Sequence, residues 1–520
     1  MYHDGVGCDF RISFQFFQKR VKIILHYVED QYGILHFLLG RVKALGSTDL
    51  LKGSIWKSIL IFSLPLLVGN LFQQLYNTVD SYVVGNFVSS HALAAVGQST
   101  SIINMLVGFF MGLSTGAGVV IAQYFGAKET KKMQDSIHTS LALTLVLCVL
   151  FTILGIALSK PILVMIGSPK EVLPLAVIYL QIYFAGVSFS LIYNMGAGIL
   201  RALGDSKNPL IYLVVSSLVN IVLDFVFVIY FHLGVAGVGI ATTLAQLVSA
   251  ILVMHELMHT DKEYKVYISK IRFSRPILSR IISIGIPAAL QNSIVSFSNV
   301  IVQSYISKFG SAAVAGYSTT TKLDGFLQLP IQSFSMAITT FVGQNYGAQN
   351  YKRVRKGLYT TLLMCEIIIA LGAFLIYTNG EFLVGLFSQD KDVIVAGVTM
   401  ISVFAPGYIF LPLSHITAGA LRGVGLSKIP MYSMILCFVI LRQVYLFVAT
   451  QFSSELITVF LGWPLTWIVN AALLMGYYHI YSKKLVRGDI YKSPPFYTLE
   501  QIVLNGYNGY NKWQVIIYES

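Results

Sequence analysis

The chain has 520 residues, 55% of them hydrophobic and only 11% charged, against about 25% charged in an ordinary soluble domain. With a mean hydropathy of +0.71, that composition excludes a soluble globular fold and describes a polytopic membrane protein. The net charge of +13 does not point to nucleic acid, because Lys and Arg sit in short loops between apolar runs, as the positive-inside rule expects.

Residues 1–48 form an N-terminal extension that does not share the pattern of the rest. Its segment 10–45 mixes aromatics with Arg11, Lys19, Arg20, Lys22, Arg41 and Lys43, which reads either as a basic amphipathic surface helix or as an extension of little functional weight. No cleavable signal peptide is read there, so the first spans themselves direct insertion. Twelve spans follow by hydropathy, near 57–84, 93–124, 137–158, 172–199, 209–231 and 235–257, then 277–305, 313–344, 357–378, 393–421, 430–451 and 456–481. This predicts an all-α integral membrane fold of twelve helices. Lys and Arg crowd one set of loops (Lys128 to Lys132, Arg201 and Lys207, Lys262 to Arg280, Lys352 to Lys356, Arg422 and Lys428, Lys483 and Lys484), leaving Lys160, Lys170, Lys308 and Lys391 on the other side. Both termini are therefore expected in the cytoplasm, with the chain a multi-pass protein of the cell membrane. The tail, residues 486–520, is polar and tyrosine-rich, too short and broken to span again.

The first span carries the most informative stretch, NLFQQLYNTVDS from Asn70 to Ser81. At 100° per residue, Asn70, Gln73, Gln74, Asn77, Asp80 and Ser81 share about one third of the helix circumference. Hydrocarbon cannot satisfy such a stripe, so it must face protein or a water-filled path.

The chain also repeats itself. GILRALGDSKNP (Gly198–Pro209) returns as GALRGVGLSKIP (Gly419–Pro430), 221 residues later. IAQYFGAKETKK (Ile121–Lys132) returns loosely as VGQNYGAQNYKR (Val342–Arg353), and FSLPLL around Pro65 matches IGIPAA around Pro287. Six spans per repeat is an even number, so the halves share orientation and are related by an axis along the membrane normal. The expected layout is two pseudo-symmetric lobes, residues 49–258 and 277–485, joined by a cytoplasmic linker, 259–276, around a central cavity.

These stretches together resemble the multidrug and toxic compound extrusion (MATE) family of cation-coupled exporters. The likeness is carried by Leu64–Gly85, by IAQYFGA and VGQNYGA, by the paired RALGDSKNP and RGVGLSKIP loops and by NIVLD (Asn220–Asp224). It covers residues 49 to 484. The acids that another branch of the family uses in spans seven and ten are absent, since those regions read IPAALQNSIVSF and FLPLSHITAGAL. What remains looks like the DinF-related branch, which implies a coupling site at the acidic pair of the first half.

Asp80 and Asp224 are that pair. Asp224 lies about 20 Å above the cytoplasmic border at 1.5 Å per residue, and Asp80 somewhat higher, depths compatible with one site. Asn77 and Asn220 sit about one turn below them, and Gln73 and Asn70 continue the stripe. Two carboxyls with amide neighbours can share a proton or hold Na⁺, so the coupling ion is expected to be H⁺ or Na⁺, with no other cofactor. In the second half Lys322, Asp324, Glu366 and Arg442 fall within spans, and the cost of isolated charge there predicts mutual pairing, with Arg442 and Lys322 answering Asp324 and Glu366. That set reads equally as a structural network or as a second coupling or substrate site. Arg201 and Arg422 are expected to cap helix ends or meet lipid phosphate, while Tyr183 and Tyr193 are candidates for a cavity wall.

No HExxH, GxSxG, P-loop or Cys/His metal set is found, so neither enzyme nor primary pump is indicated. Cys148, Cys365 and Cys437 lie in apolar spans and Cys8 near the start, with no CxxC pattern. The reading is a secondary active exporter that exchanges amphipathic, often cationic, organic compounds for H⁺ or Na⁺ by alternating access, working as a monomer in the lipid bilayer. The nearest alternative is a lipid-linked oligosaccharide flippase of related architecture, which would line its cavity with several cations.

Overall fold

In hydrocarbon a backbone satisfies its amides only within itself, so each long apolar run becomes a helix. The computed structural model describes residues 49–487; the basic segment 10–45 and the tail from 488 onward lie outside the described residues. The first repeat comprises α1 (Ile55–Phe87), α2 (Ser90–Gly126), α3 (Thr130–Met165), α4 (Leu173–Ala202), α5 (Lys207–Tyr230) and α6 (Gly234–His259). The second comprises α7 (Arg275–Phe309), α8 (Ser311–Gly347), α9 (Tyr351–Thr378), α10 (Lys391–Gly407 with Phe410–Gly423), α11 (Lys428–Phe452) and α12 (Leu456–Arg487). Ten of these are long and apolar enough to cross a bilayer, and the bent α10 makes eleven. The remaining helix, α8, is 37 residues long but diluted by Lys322, Asp324 and a series of Ser, Thr and Gln residues.

Local chemistry explains the ends and the breaks. Ser89 caps α2 by accepting from the Ala92 amide, and Asn350 caps α9 by accepting from Arg353. The sequence reads 393–421 as one span, whereas α10 bends by 53° between Gly407 and Phe410. Pro406 and Pro412 bracket that break, and each removes a backbone donor from the helix ladder. The fifth helix of each repeat contains a π-helical stretch, Val226–Tyr230 in α5 and Ile435–Leu441 in α11.

The buried side chains form two main cores, one per lobe, yet chain order and core membership part company at two helices. Ile59, Phe62 and Leu66 from the first half of α1 join the second core, while Val83 and Val84 near its end join the first. Conversely, Ile277, Ile281 and Ile284 of α7 lie in the first core and Val302 and Ile306 in the second. The linker is fixed to α3: the Tyr267 amide donates to His138 Nε2 at 3.2 Å, and Gln134 Nε2 donates to the Glu263 carbonyl at 2.7 Å.

The lobes meet at the end of the bundle that carries the basic loops, here termed the basic end. Gln123 Nε2 of α2 donates to the Gly423 carbonyl of α10, and Gln344 Nε2 of α8 donates to the Ala202 carbonyl of α4, both at 2.8 Å. These bonds are repeat-related, 221 residues apart. Beside them Gly126 and Gly347 bring the backbones of α2 and α8 into contact; a Cβ on either would overlap the carbonyl of Gln344 or Gln123 respectively.

Candidate functional site

A cavity of about 830 Å³ lies between α1, α2, α4, α5 and α6 on one side and α8 on the other, within the range of pockets that hold drug-sized molecules. All six residues of the α1 stripe, Asn70, Gln73, Gln74, Asn77, Asp80 and Ser81, line it. A second stripe comes from α4. Tyr179, Tyr183, Ser190, Tyr193, Asn194 and Arg201 line the cavity and fall within about 100° of arc at helical spacing. That periodicity was legible in the sequence, yet only its tyrosines at 183 and 193 stood out as candidates. Thr242 and Gln246 of α6 complete the polar part of the wall; Met111, Met336 and Phe326 supply apolar surface.

Behind the α1 stripe, the structure brings Asp80 and Asp224 together. Asp224 is fully buried and Asp80 is 6% exposed, and the two carboxyl groups lie within hydrogen-bonding reach of each other. Among the described residues neither Asp224 oxygen accepts a hydrogen bond, nor does Asp80 Oδ1, and both polar atoms of the Asn220 side chain are similarly unsatisfied. Buried polar groups are normally satisfied; here five side-chain atoms of one cluster are not. No group of three or more His, Cys, Asp or Glu converges among the described residues; a cation here would be held by two carboxylates with amide and hydroxyl oxygens around it. Tyr179 stands near both acids, and Tyr76 near Asp80 and Gln73. Asp224 lies two residues before the π-helical turn of α5, a distortion common at functional sites. At the repeat-related positions the second lobe has Val302 and Tyr445, so the acidic pair belongs to the first lobe alone.

The expected pairing of Lys322, Asp324, Glu366 and Arg442 is not what the fold builds. The one ion pair among the described residues is Lys132 with Glu129, 3.8 Å apart and exposed. Arg442 is fully buried and donates to Ser298 Oγ (3.3 Å), Asn299 Oδ1 (3.2 Å) and Thr466 Oγ1 (2.7 Å), with its guanidinium over Phe438 and Trp463. Asp324 accepts from the Tyr408 hydroxyl at 2.7 Å. Lys322 lines the cavity with its ammonium 5.3 Å from the Phe387 ring centre, and Glu366 on α9 has no hydrogen-bond partner among the described residues. The four residues face four different surroundings. For Arg442, Asp324 and Lys322, neutral polar groups and aromatic rings stand where countercharges are expected.

The paired arginines also differ from expectation. Arg422 is held inside the second lobe by Gln291 Oε1 and Ser335 Oγ, at 2.8 and 2.9 Å, and Arg201 faces the cavity.

The family model MatE matches this chain twice, over residues 65–226 and 287–448, one match in each repeat. The chain is 30% identical over 395 residues to the probable multidrug resistance protein YpnP of Bacillus subtilis, a match covering 76% of this chain and 88% of that protein. It is 26% identical to the probable multidrug resistance protein YoeA of the same organism over 83% of this chain and 95% of that protein. The multidrug export protein MepA of Staphylococcus aureus is 25% identical over 72% and 83% of the two chains. Among solved structures, the outward-facing conformation of a multidrug resistance MATE family transporter of the MOP superfamily superimposes with a TM-score of 0.80 at 23% identity, covering 85% of this chain and 98% of that one. Two family matches in register with an internal duplication, on a two-lobe helical fold, lead to one conclusion: the chain belongs to the MatE family, the multidrug and toxic compound extrusion transporters.

Proposed function

We propose that the protein is a secondary active exporter of amphipathic, often cationic, organic compounds, driven by exchange for H⁺ or Na⁺. The observation that carries this reading is the buried Asp80–Asp224 pair directly behind the wall of a drug-sized cavity. Two carboxyl groups in reach of each other, with no countercharge, call for one proton or one cation between them. Loading that ion changes the charge and hydration of Asp80, which is also part of the cavity wall, so ion and substrate compete for one region.

Helix α1 is the element that would transmit the competition. Its outer half belongs to the first core and its inner half to the second, and Pro65 lies in the inner half, between Phe62 and Leu66. A proline inside a helix weakens the ladder there, which lets α1 flex within its inner half as the Asp80 half repacks. Names of the relatives, multidrug resistance and multidrug export proteins, support the substrate class. The reading places the basic end in the cytoplasm of a plasma-membrane protein that works as a monomer on small organic molecules, without bond-making chemistry.

The test is transport of ethidium into proteoliposomes under an imposed pH gradient or an imposed Na⁺ gradient, with wild type and Asp80→Asn. Gradient-driven movement lost in the variant identifies the ion and places Asp80 in the coupling site. No movement of ethidium or other cations under either gradient overturns the exporter reading.

A further inference from the structure

Each repeat carries an arginine in the same loop motif beside a repeat-related serine, but only one copy is closed into a network. In the second lobe Arg422 donates to Gln291 and Ser335, and Ser335 in turn donates to the His415 carbonyl at 2.8 Å. Counting back 221 residues from Arg422, Ser335 and His415 gives Arg201, Ser114 and Asn194, while the Pro65/Pro287 match puts Gly69 opposite Gln291. Ser114 does as its counterpart does, donating to the Asn194 carbonyl at 3.1 Å. Gly69 has no side chain to act as Gln291 does, and because the first half of α1 packs into the second core, the neighbouring Asn70 Nδ2 donates across to Ser333 Oγ of α8 at 3.1 Å.

Arg201 is thereby deprived of the partner that Gln291 supplies to Arg422. It is half-buried, lines the cavity and has no hydrogen bond or ion pair among the described residues. Asp205, four residues on, is committed elsewhere: its Oδ1 accepts from the Lys207 and Asn208 amides at 3.1 and 3.0 Å, and its Oδ2 from Asn208 Nδ2 at 2.8 Å. The other charged residues of the wall are Lys322 and Asp80, and Asp80 faces Asp224. A guanidinium offers five donors in a planar fork that matches a carboxylate or phosphate bidentately. Here that fork points into a drug-sized space from the last turn of α4, at the basic end of the cavity.

We propose that Arg201 is a recognition point for an oxyanion, a carboxylate or phosphate group, on the transported amphipath. This deepens the exporter reading and rests on it: the preferred cargo carries an acidic group at the end that enters toward the basic side, and a zwitterion satisfies both this group and Asp80.

Rhodamine 110, with a carboxyl group, and rhodamine 123, its methyl ester, isolate that group. Equilibrium binding of both dyes to the purified full chain is measured by fluorescence anisotropy for wild type, Arg201→Gln and Arg201→Lys. The proposal expects Arg201→Gln to weaken rhodamine 110 roughly tenfold to a hundredfold, the range of a charge-assisted bond, and to leave rhodamine 123 unchanged, with Arg201→Lys between. Equal loss for both dyes assigns Arg201 a structural role and overturns the proposal, as does a wild type that does not favour the acid over the ester. That wild-type preference and Arg201→Lys decide the matter if the Gln variant does not fold. Displacement of rhodamine 110 by dihexanoylphosphatidic acid but not by dihexanoylglycerol assigns the oxyanion to a lipid phosphate; no displacement by either assigns it to a soluble carboxylate. Both uphold an oxyanion site at Arg201. The exporter reading fails separately, when wild-type proteoliposomes move neither dye under a gradient.

Discussion

Replacing Gln344 with Leu tests whether the clasp at the basic end sets the balance between access states. Gln344 is buried, and its Nε2 donates to the Ala202 carbonyl of the opposite lobe at 2.8 Å. Leucine fills a similar volume but leaves that carbonyl unsatisfied, at a cost of about 1–3 kcal/mol. The cost falls only on the state in which the lobes are closed at this end, because opening exposes the carbonyl to water. At 1.4 kcal/mol per tenfold, the ratio of basic-end-open to basic-end-closed protein rises by roughly fivefold to a hundredfold. Gln123→Leu removes the repeat-related bond to Gly423 together with the acceptor that Gln123 Oε1 gives Arg280, and the double variant shifts the ratio further. The assay is labelling of a cysteine at position 246 on the cavity wall, in a protein with its four native cysteines replaced, by a membrane-impermeant maleimide. Inside-out vesicles give access from the cytoplasmic face and right-side-out vesicles from the other. Labelling from the cytoplasmic face increases in Gln344→Leu and falls from the opposite face. Unchanged labelling from both faces in the double variant refutes the view that these bonds hold the closed state.

Asp224→Asn should insert and melt like wild type yet lose gradient-driven export; normal resistance in cells carrying it would remove Asp224 from the coupling site. Gly347→Val should reach the membrane and fail to close the basic end, since a side chain there overlaps the Gln123 carbonyl; maleimide labelling from the cytoplasmic side at position 246 then rises above wild type. In the second lobe, Thr466→Val strips Arg442 of its 2.7 Å acceptor and leaves a buried charge short of a partner, at about 1.5–3 kcal/mol. Arg442→Met removes the charge with its solvation problem and is expected to cost less; thermal unfolding in detergent ranks the two, and the reverse order contradicts the account.

Several features were legible in the chain because they are local or periodic. Apolar length gave the spans, since a backbone in hydrocarbon has no alternative to the helix. The Asn70 to Ser81 stripe gave the cavity-facing side of α1, because one helix face is set by spacing alone. The α4 stripe from Tyr179 to Arg201 had the same periodicity, and it escaped notice because its aromatic members suit a lipid-facing belt equally well. The bend in α10 could be placed from Pro406 and Pro412, although its angle could not.

Sequence by itself therefore determined the duplication, the membrane class, the run of helices and the acids at positions 80 and 224. Tertiary structure alone decided which polar groups meet. Arg442 finds Ser298, Asn299 and Thr466 instead of Asp324 or Glu366, because side-chain partners depend on how separate helices rotate and lean against one another. The same holds for Arg201 and Arg422. Their surrounding motifs are nearly alike, yet α1 has Gly69 where α7 has Gln291 beside Arg422, and its Asn70 bonds into the other lobe. A duplicated sequence thus yields one satisfied arginine and one that faces the cavity, because one repeat lacks the glutamine and its α1 buries Ile59, Phe62 and Leu66 in a core that lies far along the chain.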